Sequence, residues 1–208
     1  MNFCFAGKIT EEVKNNQLKR RKMERLEKYL IKYCAPTLAS LKTANLFSYP
    51  AGVGAGLEKS LVCWNLCLHK KGIKLCMLQK KENALIYVYR PGELKRDLSD
   101  PMAFRILKHY GYKTQEEDNA IATLRARLKK DGFPHEIGLF LGYPPRDVIG
   151  FIHYGGRHCK CAGYWKVYAE EESAKYVFAR LQRCSKAYMR LWQEGESIMQ
   201  LAMAAPQD

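Results

Sequence analysis

Two apolar runs, Ile73–Leu78 and Ala84–Tyr89, flank five polar residues, QKKEN. Each run has the length of a strand, and the polar break between them reads as a turn, so the pair is expected to form a β-hairpin. The hairpin sets the fold class, because strands and helices around it mix without a strict βαβ rhythm. The expected architecture is therefore α+β, a single domain with a small, largely antiparallel sheet packed by several helices, rather than a doubly wound parallel sheet.

Helical periodicity accounts for most of the rest. Met23, Leu26, Leu30 and Tyr33 recur at helical spacing, which predicts an N-terminal helix over about residues 10–33. Pro36 predicts a break there and the restart of a second helix, since proline suits a first helical turn and interrupts a continuous one. Ala44–Pro50 reads as extended, and Leu57–Lys71 as an amphipathic helix stopped at Gly72. Arg90-Pro91-Gly92 closes the hairpin. Helices are expected over Pro101–Tyr110, from the Thr114/Glu117 capping-box spacing to Lys130, from Pro144 to Gly155, over Glu170–Gln193 and over Glu196–Ala204. Strands are expected at Glu136–Tyr143 and at Gly163–Tyr168. No internal repeat, low-complexity tract or linker divides the 208 residues.

Composition narrows the function classes. At 47% hydrophobic the chain can build a large core. The longest uncharged window, Thr43 to Leu57, is short and broken by three glycines and a proline, so no membrane span is expected. The N-terminus shows no basic region followed by a long apolar stretch, so no signal peptide is expected and the protein is placed in the cytoplasm. Its eight cysteines are then reduced thiols rather than a disulfide framework. The net charge of +14 favours an acidic partner, nucleic acid among them. No nucleic-acid-binding motif accompanies that charge, and its densest run, Lys19–Lys22, shares a helix with Glu24 and Glu27, as a solvated face would.

Three segments carry a resemblance. Cys34-Ala35-Pro36-Thr37-Leu38-Ala39 (CAPTLA) with Asn45-Leu46-Phe47, then PHEIGLFLGYP over residues 134–144 with Asp147-Val148, then GYWKVY over residues 163–168, resemble an uncharacterised bacterial domain-of-unknown-function family of the DUF3793 kind. The resemblance covers nearly the whole chain and implies one domain. Its members are soluble proteins, mostly from anaerobic Gram-positive bacteria, in which no catalytic residue is assigned. The family's proximity to iron-uptake functions supplies one alternative reading below. Tyr33 departs from the histidine expected before CAPTLA.

Among candidate sites, the first is a Cys34–His135 pair. A thiol hydrolase or acyltransferase needs a thiolate, usually at a helix N-terminus, with an imidazole beside it. Cys34 precedes the expected helix start at Pro36, and His135 opens the expected strand at Glu136. CAPTLA is also similar to the CGPT segment of bacteriocin-processing cysteine peptidases. Asp147 is the candidate to orient the imidazole, provided the intervening turn folds back. The plainer reading makes Cys34 a small buried residue and His135 a strand end.

The second candidate is a metal site, iron or zinc, at His158 and Cys161, as in a non-enzymatic iron-linked accessory protein. Cys63 and Cys67 lie one helical turn apart, yet neither pair has the duplicated spacing of structural zinc sites. The third, Gly52-x-Gly54-x-Gly56, lacks the residues of a phosphate-binding loop and reads as a turn.

Overall fold

The computed structural model describes residues 23–50, 56–130 and 132–204. The part of the expected N-terminal helix before residue 23, the basic run Lys19–Lys22 and most of the Gly52-x-Gly54-x-Gly56 segment lie outside them.

The hairpin forms. β2 (Lys74–Lys80) and β3 (Asn83–Tyr89) pair antiparallel, and β1 (Ala44–Pro50) pairs antiparallel on the other side of β3, giving the order β1-β3-β2. A register shift between Met77 and Gln79 makes Leu78 an extra residue. Side chains alternate strictly across β3. Ala84, Ile86 and Val88 face one hydrophobic cluster, and Leu85, Tyr87 and Tyr89 face the other. The sheet is thus the middle of three layers, with helices on both faces.

One layer is α1 (residues 23–38), α2 (Leu57–Leu68) with the 3-10 turn His69–Lys71, and the segment that carries Ile198 and Ala202. Leu26, Leu30, Cys34 and Leu38 of α1 and Leu61, Trp64 and Leu68 of α2 fill it. The other layer holds α3 (Pro91–Leu98), α4 (Pro101–His109), α5 (Glu117–Lys130), α6 (Ile137–Phe140) and α7 (Pro145–Tyr154). A small hairpin, β4 (Cys161–Ala162) with β5 (Lys166–Val167), leads into the 23-residue α8 (Glu171–Gln193) and the single turn α9 (Ile198–Leu201). Ser197 and Gln200 form a reciprocal capping box on α9, whose first N–H bonds Glu27 of α1.

Four expectations need correction. α1 runs unbroken through Pro36 and stops beyond it. Ser40 turns left-handed (φ 56°), and Leu41 N–H donates to Pro36 O while Ser40 N–H donates to Thr37 O. That is a Schellman stop, and Pro36 sits in the last turn, where its missing N–H costs one intrahelical bond. Second, Pro91 does not merely close the hairpin; it opens α3 from the first helical position.

Third, Glu136–Tyr143 is not a strand. Its middle is the single buried turn α6, and an apolar run of this length carries no period to tell strand from helix. Two carbonyls near the end of this turn find partners elsewhere: Tyr87 Oη donates to Phe140 O at 2.6 Å, and Lys42 Nζ to Leu141 O at 2.9 Å. Gly142 then reverses the chain at φ 71°, where a Cβ would lie 2.6 Å from Thr43 Oγ1. Fourth, Gly163–Tyr168 supplies only the turn and second strand of the β4–β5 hairpin.

Candidate functional site

Glu136 is 1% exposed and bonded to two neighbours: Arg127 Nε donates to its carboxylate, and Tyr112 Oη donates at 3.3 Å. That anchor fixes the turn in which Ile137 N–H reaches Pro134 O and Gly138 N–H reaches His135 O. His135 is left exposed at the turn's edge, with its ring edge-on to Phe151 of α7, centroids 5.1 Å apart.

Asp147, in the first turn of α7, is 4% exposed and accepts three hydrogen bonds from the β5 region. Trp165 Nε1–H donates to Oδ2 at 2.8 Å; Tyr168 and Ala169 N–H donate to Oδ1 at 2.8 and 2.9 Å. The carboxylate therefore clamps the β4–β5 hairpin against α7. Gly150, one turn on, lets the Tyr168 ring lie on the helix backbone, since a Cβ there would meet that ring at 2.4 Å.

The clamp brings Trp165 against Tyr143 (centroids 5.2 Å apart, planes at 30°) and edge-on to Phe178 of α8 at 4.5 Å. Between Trp165, Tyr143, Val148 and Phe151 a cleft of about 380 Å³ opens, floored by Ile137 and Leu141. Two basic side chains stand at it. His135 is one; Lys166, whose Nζ donates to Gly156 O at 2.6 Å and lies 5.9 Å from the Phe151 centroid, is the other. An apolar hollow with a few convergent polar groups is the usual form of a ligand site.

Behind Tyr143 lies an unusual amine. Lys42 Nζ stands 5.0 Å from the Tyr143 centroid and also donates to Ala44 O. Burial pulls its pKa down to about 7, against the pull of Cys34 and Asp97. The unfolded amine titrates near 10.5, so between these values the unfolded chain holds more protons and stability rises with pH. Cys34, raised by burial from 9.0, acts in the opposite sense once pH passes that value. Urea unfolding at pH 7, 8 and 9 is accordingly expected to show wild-type stability rising, and Lys42→Met flattening the rise. Equal slopes in the two proteins would remove Lys42 as its source.

The structure does not bring the thiol and imidazole together. Cys34 is wholly buried in the first cluster, on the far side of the sheet from the layer holding α6 and α7. Because α1 continues past Pro36, Cys34 lies toward a helix carboxyl end, where the dipole opposes a thiolate. Burial raises its pKa further. Asp147 is committed to Trp165 and two backbone N–H groups, and no hydrogen bond joins it to His135.

His158 is exposed, with left-handed backbone (φ 58°) and its ring on Tyr154; Cys161 begins β4. Among the described residues no group of three or more His, Cys, Asp or Glu side chains is placed to hold a metal ion. Tyr143, Phe151, Trp165 and Lys166 were not singled out by the sequence as site residues. One signal for them was available, since a partly buried indole N–H needs an acceptor and Asp147 was already a candidate site residue.

A three-layer α+β domain with an aromatic cleft, walled by a clamped tryptophan, is thus the class of protein the geometry defines. The chain belongs to the family described as proteins of unknown function (DUF3793), whose match spans residues 30–202 and so takes in both helical layers and the whole cleft. No curated protein and no solved structure matches it. Among the described residues no helix is long and apolar enough to cross a membrane.

Proposed function

We propose that the chain is a binding protein for a flat, largely apolar molecule carrying an acidic group, taken up in the cleft between α7 and the β4–β5 hairpin. The observation that carries this reading is the cleft's make-up: aromatic walls at Tyr143, Phe151 and Trp165, with cationic Lys166 and the donor-capable ring of His135 at its edge. Ring faces stack on flat ligands, and a lysine beside them adds a charge-assisted bond to an anion.

Paired fluorescent probes test it. 8-Anilinonaphthalene-1-sulfonate is anionic and N-phenyl-1-naphthylamine is its neutral counterpart. Both are expected to bind one to one and to weaken on Phe151→Ala. Lys166→Met should weaken the anionic probe about tenfold, one lost charge-assisted contact of roughly 1.4 kcal/mol, and leave the neutral one unchanged. Binding that ignores Phe151 would sink the proposal.

The thiol-hydrolase reading of Cys34 and His135 makes the opposite forecast for alkylation. Iodoacetamide at pH 8, mapped by peptide mass, is expected to modify exposed Cys63 and Cys67 and to spare Cys34 in the folded protein. Rapid labelling of Cys34 that slows in His135→Ala would restore the hydrolase and displace the binding protein.

A further inference from the structure

The outward face of α2 carries a pair of thiols that nothing above employs. Of the seven described cysteines only Cys63 and Cys67 are exposed. They are four residues apart on one helix, which places their Cβ atoms about 5–6 Å from each other on the same face. With metal–sulfur bonds of about 2.3 Å, both sulfurs reach a single ion without any change of backbone.

The helix beneath them is held firmly. Leu61, Trp64 and Leu68 are buried in the first cluster, and the Asn65 side chain bonds Leu75 of β2 in both directions, Nδ2–H to the carbonyl and Oδ1 from the N–H, each at 2.8 Å. The two thiols therefore start from a fixed separation, and only their own side-chain rotations remain to be ordered on binding.

The surroundings choose the kind of ion. Val62 is 59% and Leu66 75% exposed, and they flank the thiols where a hard cation would require carboxylates. The one acid of α2, Glu58, reaches Lys80 at 3.7 Å. Thiolate pairs select soft ions. Two ligands complete the preferred linear coordination of a monovalent d¹⁰ ion, whereas zinc asks for four. On binding, each thiol releases its proton to solvent and each sulfur donates a lone pair, so one Cu⁺ and two thiols give a bis-thiolate of charge −1 and two protons. Exposed lysines stand on either side to balance that charge, Lys59 one turn before Cys63 and Lys70 three residues after Cys67.

The geometry points to a two-thiolate site on α2, formed by Cys63 and Cys67, that takes one soft monovalent ion of the copper(I) class. It is independent of the cleft. Lying on the surface, it suits an ion that is exchanged rather than one locked into the fold.

The experiment is an anaerobic competition for copper(I) against the coloured chelator bathocuproine disulfonate, with the full chain kept reduced by dithionite. Wild type is expected to withdraw one equivalent of copper(I) from the chelator. The Cys63→Ser/Cys67→Ser variant should lose that equivalent, its affinity falling by more than the roughly 10- to 100-fold that loss of an outer-shell partner costs a metal site. The Cys159→Ser/Cys161→Ser variant should keep it. Because Cys63 and Cys67 are exposed, their removal is expected to leave thermal unfolding unchanged, and that scan accompanies the titration. Failure of wild type to compete, retention of the equivalent without Cys63 and Cys67, or its loss with Cys159 and Cys161 would each overturn the assignment.

Discussion

Arg90→Ala is expected to cost about 3–5 kcal/mol of folding free energy, because four hydrogen bonds from a buried charged group are lost, each worth roughly 1.5–3 kcal/mol before other donors and water make up part of the loss. Arg90 directly follows β3 and is 2% exposed. Its guanidinium donates to four backbone carbonyls in three segments. Nε bonds Thr37 O at 2.7 Å and Nη2 bonds Leu38 O at 2.9 Å, both at the carboxyl end of α1. Nη1 reaches Lys71 O at 3.0 Å in the 3-10 turn, and Nη2 also reaches Met203 O at 2.8 Å. Among the described residues no carboxylate forms an ion pair with it; the nearby Glu93 charge and the carbonyl end of α1 supply compensating negative potential.

The arginine thus joins the end of α1, the end of α2 and the C-terminal segment to the central strand. Alanine would take away all four bonds at once: Thr37 O and Leu38 O would keep only their backbone donors, the N–H groups of Ser40 and Met203, and the part-buried carbonyls of Lys71 and Met203 would lose their tie to the sheet. For a chain of this size the loss corresponds to roughly 2–4 °C of melting temperature per kcal/mol. Arg90→Lys should recover less than half of it, because one ammonium cannot span four acceptors laid out for a planar fork. Urea unfolding of wild type and both variants measures this directly. A loss below 1 kcal/mol for Arg90→Ala would mean that hydrophobic contacts alone hold the end of α1 and the segment around Met203 on the sheet.

The same residue explains why part of the fold was not legible in the sequence. The hairpin was, because alternation along β3 and a polar break are local signals. So were α5, with its acidic first turn, and the amphipathic α8. The end of α1 was not: locally, Pro36 forbids a continuing helix, and what rewards continuation is a guanidinium more than fifty residues away. α6 failed for a related reason. Buried on every side, Ile137–Phe140 has no polar face to reveal a period, and the bonds that satisfy its carbonyl end come from Tyr87 and Lys42. The candidate site divided along the same line. His135 and Asp147 were read beside turn motifs as a base and its orienter; both border the cleft, where Asp147 instead holds Trp165 and the backbone N–H groups of Tyr168 and Ala169. Cys34 was chosen on the assumption of a helix start that tertiary contacts abolish. The aromatic walls come from separate stretches of chain, so no spacing rule could have assembled them.

Asp147→Asn tests the step from fold to cleft. The substitution keeps the shape of the side chain and one carbonyl oxygen, enough to accept the N–H groups of Tyr168 and Ala169. It turns an amide N–H₂ toward Trp165 Nε1–H, however, and two donors then face each other where a carboxylate oxygen accepted at 2.8 Å. The expected cost is about 1–3 kcal/mol, the penalty of one buried donor left unmade. Asp147→Ala frees all three donors and should cost about 3–5 kcal/mol, more than one unmade donor and less than three fully buried ones. Both variants release Trp165 from its fixed place beside Tyr143, so both should lose probe binding even at temperatures where they are fully folded. Arg90→Ala, which acts on the opposite side of the sheet, should bind the probes normally under the same conditions. Near-ultraviolet circular dichroism reports the freed indole, and urea unfolding reports the stability. If Asp147→Asn keeps both the aromatic signal and the probe affinity, the carboxylate is only one of several contacts on the hairpin and Trp165 is not the wall that shapes the cleft. If affinity falls while the fold persists, a single carboxylate on α7 sets the geometry of the binding site.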